Sequence, residues 1–211
     1  MTREALRRHV STRSFDKTAI GRIEVVIAVG VLCIAVWFIV SALSRARTAE
    51  AREACLGNLG VIGAALERYL NDNDNCWPYV SKLASVKLHD PAWPTLPTVL
   101  APYTGDKAEL FRCPADSRAL ASDNTLREKF STKTTWYETE GTSYEYWMGE
   151  AYAGKKVGEE SLSTAAGFGL GRADQPLLTD FEPFHEGDGG GSFNTLNADL
   201  KPRTTRARKK D

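Results

Sequence analysis

The spacing of polar and apolar positions changes several times along the chain, and each change predicts an element. Residues 25–43 run nineteen positions without a charge, close to the roughly 20 that a helix needs to cross a bilayer core of about 30 Å. A secretory signal has a shorter apolar core of about 7–15 residues followed by a small-residue cleavage site. Here helical periodicity continues past Leu43 through SRARTAEAREACLGNLGVIGAALERYLNDNDN without a proline. The pattern therefore predicts a retained transmembrane helix over 20–44. Further on, Cys55, Leu56, Leu59, Ile62, Leu66, Tyr69 and Leu70 recur at steps of three and four, which makes one apolar stripe on an amphipathic continuation over 45–75. Residues 24–70 would form a single helix of 47 residues, against about 11–12 for an ordinary globular helix. Its second half needs something to pack against.

NDNDNCWP ends the helix, because Asn and Asp compete for backbone hydrogen bonds and Pro78 disfavours helical geometry in the residue before it. Six prolines between 78 and 117 (Pro78, Pro91, Pro94, Pro97, Pro102 and Pro114) argue against long elements there. TLPTVLAPYTG has room for a helical turn or two. TSYEYWMGEAY then alternates with a period of two, while QPLLTDFEPF and GSFNTLNADLKP are short apolar runs bounded by turn residues, and all three read as strands. A small antiparallel sheet is the natural partner for the helix stripe, so the expected class is α+β, with the long N-terminal helix covering one sheet face. The expected order is a basic leader over 1–19, the membrane helix over 20–44, its amphipathic continuation over 45–75, a head over 76–202 and a basic, disordered tail over 203–211.

Charge sets orientation. Arg3, Arg7, Arg8, Arg13, Lys17 and Arg22 precede the span against Glu4 and Asp16 alone, which holds the N-terminus in the cytoplasm and places the head outside it. The whole chain balances 27 basic with 27 acidic residues, so no general attraction to nucleic acid is expected, and the tail KPRTTRARKKD reads as a solubilising end. Of the four cysteines, Cys33 lies in the span, whereas Cys55, Cys76 and Cys113 fall where disulfides persist. Cys76 with Cys113 is the favoured pair over Cys55 with Cys113, since both flank the start of the globular region, although spacing alone fixes no connectivity.

Glu24 stands at the edge of the apolar run, where an ionised carboxylate is costly unless paired. TAIGRIEVVIAVGVLCIAVWFIV resembles the processing and membrane segment of type IV pilin-like proteins, including the pseudopilins of type II secretion systems. The resemblance implies that a prepilin peptidase removes the leader after Ala19, that Ile20 becomes the methylated new terminus, and that Glu24 registers subunits by pairing with a neighbour's terminal amine. ACLGNLGVIGAALERYLNDNDNCWP, LFRCPAD, TSYEYWMG and LLTDFEPFHEGDGGGSFNTLNADLKP are similar to blocks of a pilin-like family of Planctomycetes and Verrucomicrobia, whose final strand ends in Asp-Gly where this chain has Asp199 and Leu200. The implied protein is a structural filament subunit in the inner membrane. Its partners would be other pilin-like subunits, the peptidase, an inner-membrane assembly platform and lipid.

Candidate chemistry concentrates near the C-terminus. Asp180, Glu182, His185, Asp188 and Asp199 offer oxygen ligands and one imidazole, a set suited to a divalent cation, with Asp180, His185 and Asp199 as its core. The plainer reading is that His185 and Asp199 brace the glycine-rich loop by hydrogen bonds. NDNDN lacks the later glycine and glutamate of an EF-hand. Neither His89 nor His185 sits in a Ser/His/Asp or HExxH context, so an enzyme is not expected. The alternative function is a membrane-tethered binding or metal-dependent module that does not polymerise.

Overall fold

Helix α1 spans Lys17–Asp72. The computed structural model describes residues 17–85, 91–116, 135–147, 152–158, 174–185 and 191–206. The chain divides into two units, Met1–Arg45 and Ala46–Asp211, and α1 contributes to both.

In the first unit nothing covers the helix among the described residues. Large apolar side chains from Val25 to Leu43 are half or more exposed, Trp37 and Phe38 included. This stretch is long and apolar enough to cross a membrane. The Ser41 hydroxyl donates to the Trp37 carbonyl at 2.8 Å, which satisfies it within the helix, as lipid would require.

In the second unit the same helix turns a stripe inward. Cys55, Leu59, Ile62, Ala65, Leu66 and Leu70 are buried, and Leu56 and Tyr69 flank them half-buried. Their partner is a four-stranded antiparallel meander in the order β1 (Tyr144–Tyr146), β2 (Pro176–Asp180), β3 (Ser192–Asn197) and β4 (Pro202–Arg206). Tyr146 pairs with Leu178 and Leu178 with Leu196, so alternate residues line the helix side. An irregularity between Pro176 and Leu178 lets Leu177 and Leu178 both be buried. Helix and sheet approach closely at Gly63, where an added Cβ would stand 3.0 Å from both Leu196 Cδ1 and the Leu200 carbonyl oxygen. A long α1 on a small antiparallel sheet is the α+β arrangement that the periodicities predicted.

α1 stops where the Asn/Asp run begins. The amides of Asn73 and Asn75 both return to the Leu70 carbonyl, and Asp74 and Asn75 take left-handed φ values of 53° and 57°, geometry that Asn and Asp tolerate better than most residues. The chain then runs beside residues 154–157: Trp77 N donates to Lys155 O, Gly154 N to Trp77 O and Val157 N to Asn75 O. α2 (Leu96–Thr104) opens with a proline in its first turn, where no amide partner is lost, and ends on the left-handed Gly105. A 3-10 turn (Ala108–Phe111) leads to Cys113, and α3 (Trp136–Glu140) leads to β1.

The expected disordered tail loses its first four residues to the sheet. Arg203 through Arg206 lie in β4, with Thr205 opposite Phe193 and Thr204 opposite Asn194. The basic composition is misleading because Arg203 is neutralised by Asp174 at 2.9 Å and Asp199 at 2.7 Å.

Candidate functional site

Between α1 and the inner sheet face lies a group of buried polar side chains centred on His185. It sits just beyond β2 and is bridged back to the start of β3: Ser192 N donates to His185 O at 2.6 Å and His185 N to Ser192 O at 3.4 Å. This bridge closes the base of the glycine-rich loop, whose residues 186–190, Asp188 among them, lie outside the described residues. Gly191 can only be glycine, since a Cβ there would run into Pro183.

The histidine ring is buried. Its Nε2 lies 3.0 Å from Asn194 Nδ2, 3.4 Å from Asp180 Oδ2 and 3.5 Å from Cys113 Sγ. Asn194 reaches three elements at once. Its Nδ2 is also 3.4 Å from the Arg52 carbonyl of α1, its Oδ1 accepts from Thr204 Oγ1 of β4 at 2.8 Å, and its backbone amide donates to Asp180 Oδ2 at 2.6 Å. Those partners fix the amide's orientation and place Nδ2 beside His185 Nε2, whose role follows from the imidazole tautomer. His185 Nδ1 and Asp180 Oδ1 are among the buried atoms with no hydrogen-bond partner in the described residues. Burial pushes the Asp180 carboxyl above the ordinary aspartate range, while the hydrogen bonds from His185 and Asn194 N pull the other way.

The second half of the site is a disulfide between Cys55 on α1 and Cys113, with Cα atoms 5.2 Å apart. It replaces the expected Cys76–Cys113 pair. Cys55 is on the buried stripe and faces the core, whereas Cys76 lies past the end of α1 as a half-buried free thiol whose Sγ is 3.8 Å from the Asp74 carbonyl. Cys113 is held by Ser143, whose Oγ accepts from Cys113 N at 3.0 Å and donates to Asp116 Oδ2 at 2.7 Å. Asp116 in turn accepts from Trp136 N at 3.3 Å and Tyr137 N at 2.9 Å. Burial raises its carboxyl too, against those donors and Arg112. The ligand atoms of Cys55, Cys113 and His185 all lie within 4.8 Å of one another.

The expected metal set of Asp180, His185 and Asp199 is not assembled. Asp180 and His185 meet, but Asp199 serves the β3–β4 turn, accepting from Lys201 N at 3.1 Å and pairing with Arg203. Leu200 in that turn takes φ 58°, the left-handed conformation for which glycine is the usual residue. Asp199 therefore does not brace the glycine loop; that work falls to the backbone of His185 and Ser192. Glu182 is half-buried between β2 and His185, and His89 lies outside the described residues. Glu24 is solvent-exposed on the first unit's part of α1, with Ala19 and Ile20 one turn before it. Sequence reasoning missed Asn194, Ser143 and Asp116, since each is a common polar residue whose role depends on what folds against it.

Two of the cavities among the described residues lie near the sheet. One of about 220 Å³ has His185 in its wall, with Arg47, Thr48 and Ala51 of α1 facing Pro114 and Phe184. A larger one, about 470 Å³, lies on the sheet face away from α1 among Trp147, Phe181 and Phe193. Two acids at its rim are already paired, Glu145 with Lys82 at 2.8 Å and Asp174 with Arg203.

No protein-family model, no curated protein and no solved structure matches the chain.

Proposed function

We propose that this protein is a pilin-like filament subunit, anchored in the inner membrane by α1 with its head outside the cytoplasm. The observation that carries the reading is the uncovered apolar length of α1 bounded by a single acid, Glu24, on a helix that continues into an α+β head. An ionised carboxylate at the lipid boundary is costly unless a cation pairs with it, and a filament supplies one. In a filament the apolar lengths bundle, and Glu24 meets the terminal amine of a neighbour whose leader has been removed between Ala19 and Ile20. A slipped register would leave that carboxylate buried without a partner, which costs more than any gain from close packing.

The test is co-expression with a prepilin peptidase active on a control substrate. Intact-mass spectrometry is expected to show loss of the nineteen-residue leader, and Glu24→Ala is expected to insert into the membrane yet fail to enter filaments. Retention of Met1, or unchanged incorporation of the variant, would leave the tethered, non-polymerising module as the better reading.

A further inference from the structure

We propose that Cys55, Cys113 and His185 form a redox-gated zinc site, closed while the disulfide stands and completed, with water as fourth ligand, when it is reduced. The inference is independent of filament assembly.

The sulfurs of Cys55 and Cys113 and the His185 imidazole are electron-pair donors to a cation, and their ligand atoms all lie within 4.8 Å of one another. Tetrahedral zinc with Zn–N near 2.05 Å and Zn–S near 2.3 Å places nitrogen and sulfur about 3.6 Å apart. The structure has 3.5 Å from His185 Nε2 to Cys113 Sγ. Cys55 Sγ belongs to the same group and supplies a third corner, which leaves the fourth to water. In the dithiol form the two sulfurs must part to about 3.8 Å, the sulfur–sulfur edge of such a tetrahedron, a movement within reach of side-chain rotation. Two sulfurs and one imidazole select zinc over calcium or magnesium, which take oxygen ligands.

The surroundings suit the ion as well. Asp180 Oδ2, held by Asn194 N at 2.6 Å, lies 3.4 Å from His185 Nε2 and places an acidic group beside the ion. When Nε2 turns to the metal, Asn194 Nδ2 retains the Arg52 carbonyl as its acceptor. The cavity of about 220 Å³ beside His185 has room for an ion and its departing waters.

The chemistry balances with a small dithiol as reductant. It transfers two electrons and two protons to the Cys55–Cys113 bond and leaves as its own disulfide. Zn²⁺ then displaces the two thiol protons, which pass to solvent. Disulfide and zinc are thus alternative clasps between the same two segments, α1 and the chain at Cys113.

The experiment uses the full chain in detergent with Cys33→Ser and Cys76→Ser, so that no other thiol binds metal. One sample stays oxidised; another is reduced with a phosphine, which becomes the phosphine oxide. Each is given Zn²⁺, desalted and analysed for metal, and Co²⁺ is used in parallel as a spectroscopic probe. The reduced chain is expected to hold one zinc and to show thiolate-to-cobalt charge transfer with intense tetrahedral bands, and the oxidised chain to hold none. His185→Gln is expected to weaken zinc at least tenfold in competition with a chromophoric chelator. Equal zinc in the oxidised form, or undiminished affinity in His185→Gln, overturns the site. If reduction unfolds the head, zinc is expected to restore its near-ultraviolet circular dichroism; failure to restore it, with no stoichiometric metal, also overturns the proposal.

Discussion

Removing the disulfide tests the architecture of the head most directly. Cys55 and Cys113 are 58 residues apart. The loop-closure entropy withdrawn from the unfolded chain by a cross-link of that span is about 14 cal/mol/K, or about 4 kcal/mol at 25 °C. For a folding unit of this size each kcal/mol moves the melting temperature by about 2–4 °C, so the double variant Cys55→Ala/Cys113→Ala should melt about 8–16 °C lower. Both positions are fully buried, and loss of two sulfur atoms from the core adds to the effect rather than offsetting it. Cys76→Ala changes a half-buried thiol outside the bridge and should stay within about 0.5 kcal/mol of the parent. The assay is near-ultraviolet circular dichroism against temperature, on the full chain in detergent with EDTA present, together with peptide mapping without reductant. Adding reductant to the parent should lower its melting temperature by the cross-link's share of that drop, about 8–16 °C. A large drop in Cys76→Ala with none in the double variant would refute the assigned pairing and the inward placement of Cys55 on α1.

Two further outcomes follow from the geometry. Gly63 lies against Leu196 and the Leu200 carbonyl, whereas a Cβ at Gly57 meets nothing within 4 Å; Gly63→Val should therefore destabilise by about 2–3 kcal/mol through overpacking, and Gly57→Ala should stabilise by about 0.5–1 kcal/mol through helix propensity. Equal urea midpoints for the two would mean that α1 does not contact β3 as described. Because burial raises the Asp180 carboxyl in the folded head, the folded state binds its proton more tightly than the unfolded chain does. That contribution is complete below the unfolded value of about 3.9 and is lost as pH rises through the folded value. The stability of Asp180→Asn relative to the parent should thus increase from about pH 3.5 to neutrality, and a decrease across that series of urea melts would contradict the assignment.

Much of the fold was legible as periodicity. The charge-free run, the stripe from Cys55 to Leu70, the Asn/Asp stop and the alternating strands are local patterns, and local geometry follows from them directly. The stripe even contained the answer to the cysteine pairing, since Cys55 falls in step with Leu59, Ile62 and Leu66 and must face the core with them. Proximity in sequence to the globular region pointed to Cys76 instead, but a helix delivers a side chain by its angle around the axis and not by its distance from the domain.

The site was less legible, for the same reason in reverse. Acidic residues clustered along the chain do not cluster in space: Asp199 is drawn to Arg203 across a tight turn, while Asp180, at the end of an inward-facing strand position, is carried under His185. Asn194 and Ser143 carry no signal of their own, and their roles exist only because α1, β3 and β4 converge on them. By itself the sequence determined which segments are helical or extended and which faces are apolar, because these depend on residues a few positions apart. The tertiary structure alone decided which buried polar groups meet, because that depends on the register of strands and the rotation of a helix against them, where a one-residue slip sends every side chain to the other side of the sheet.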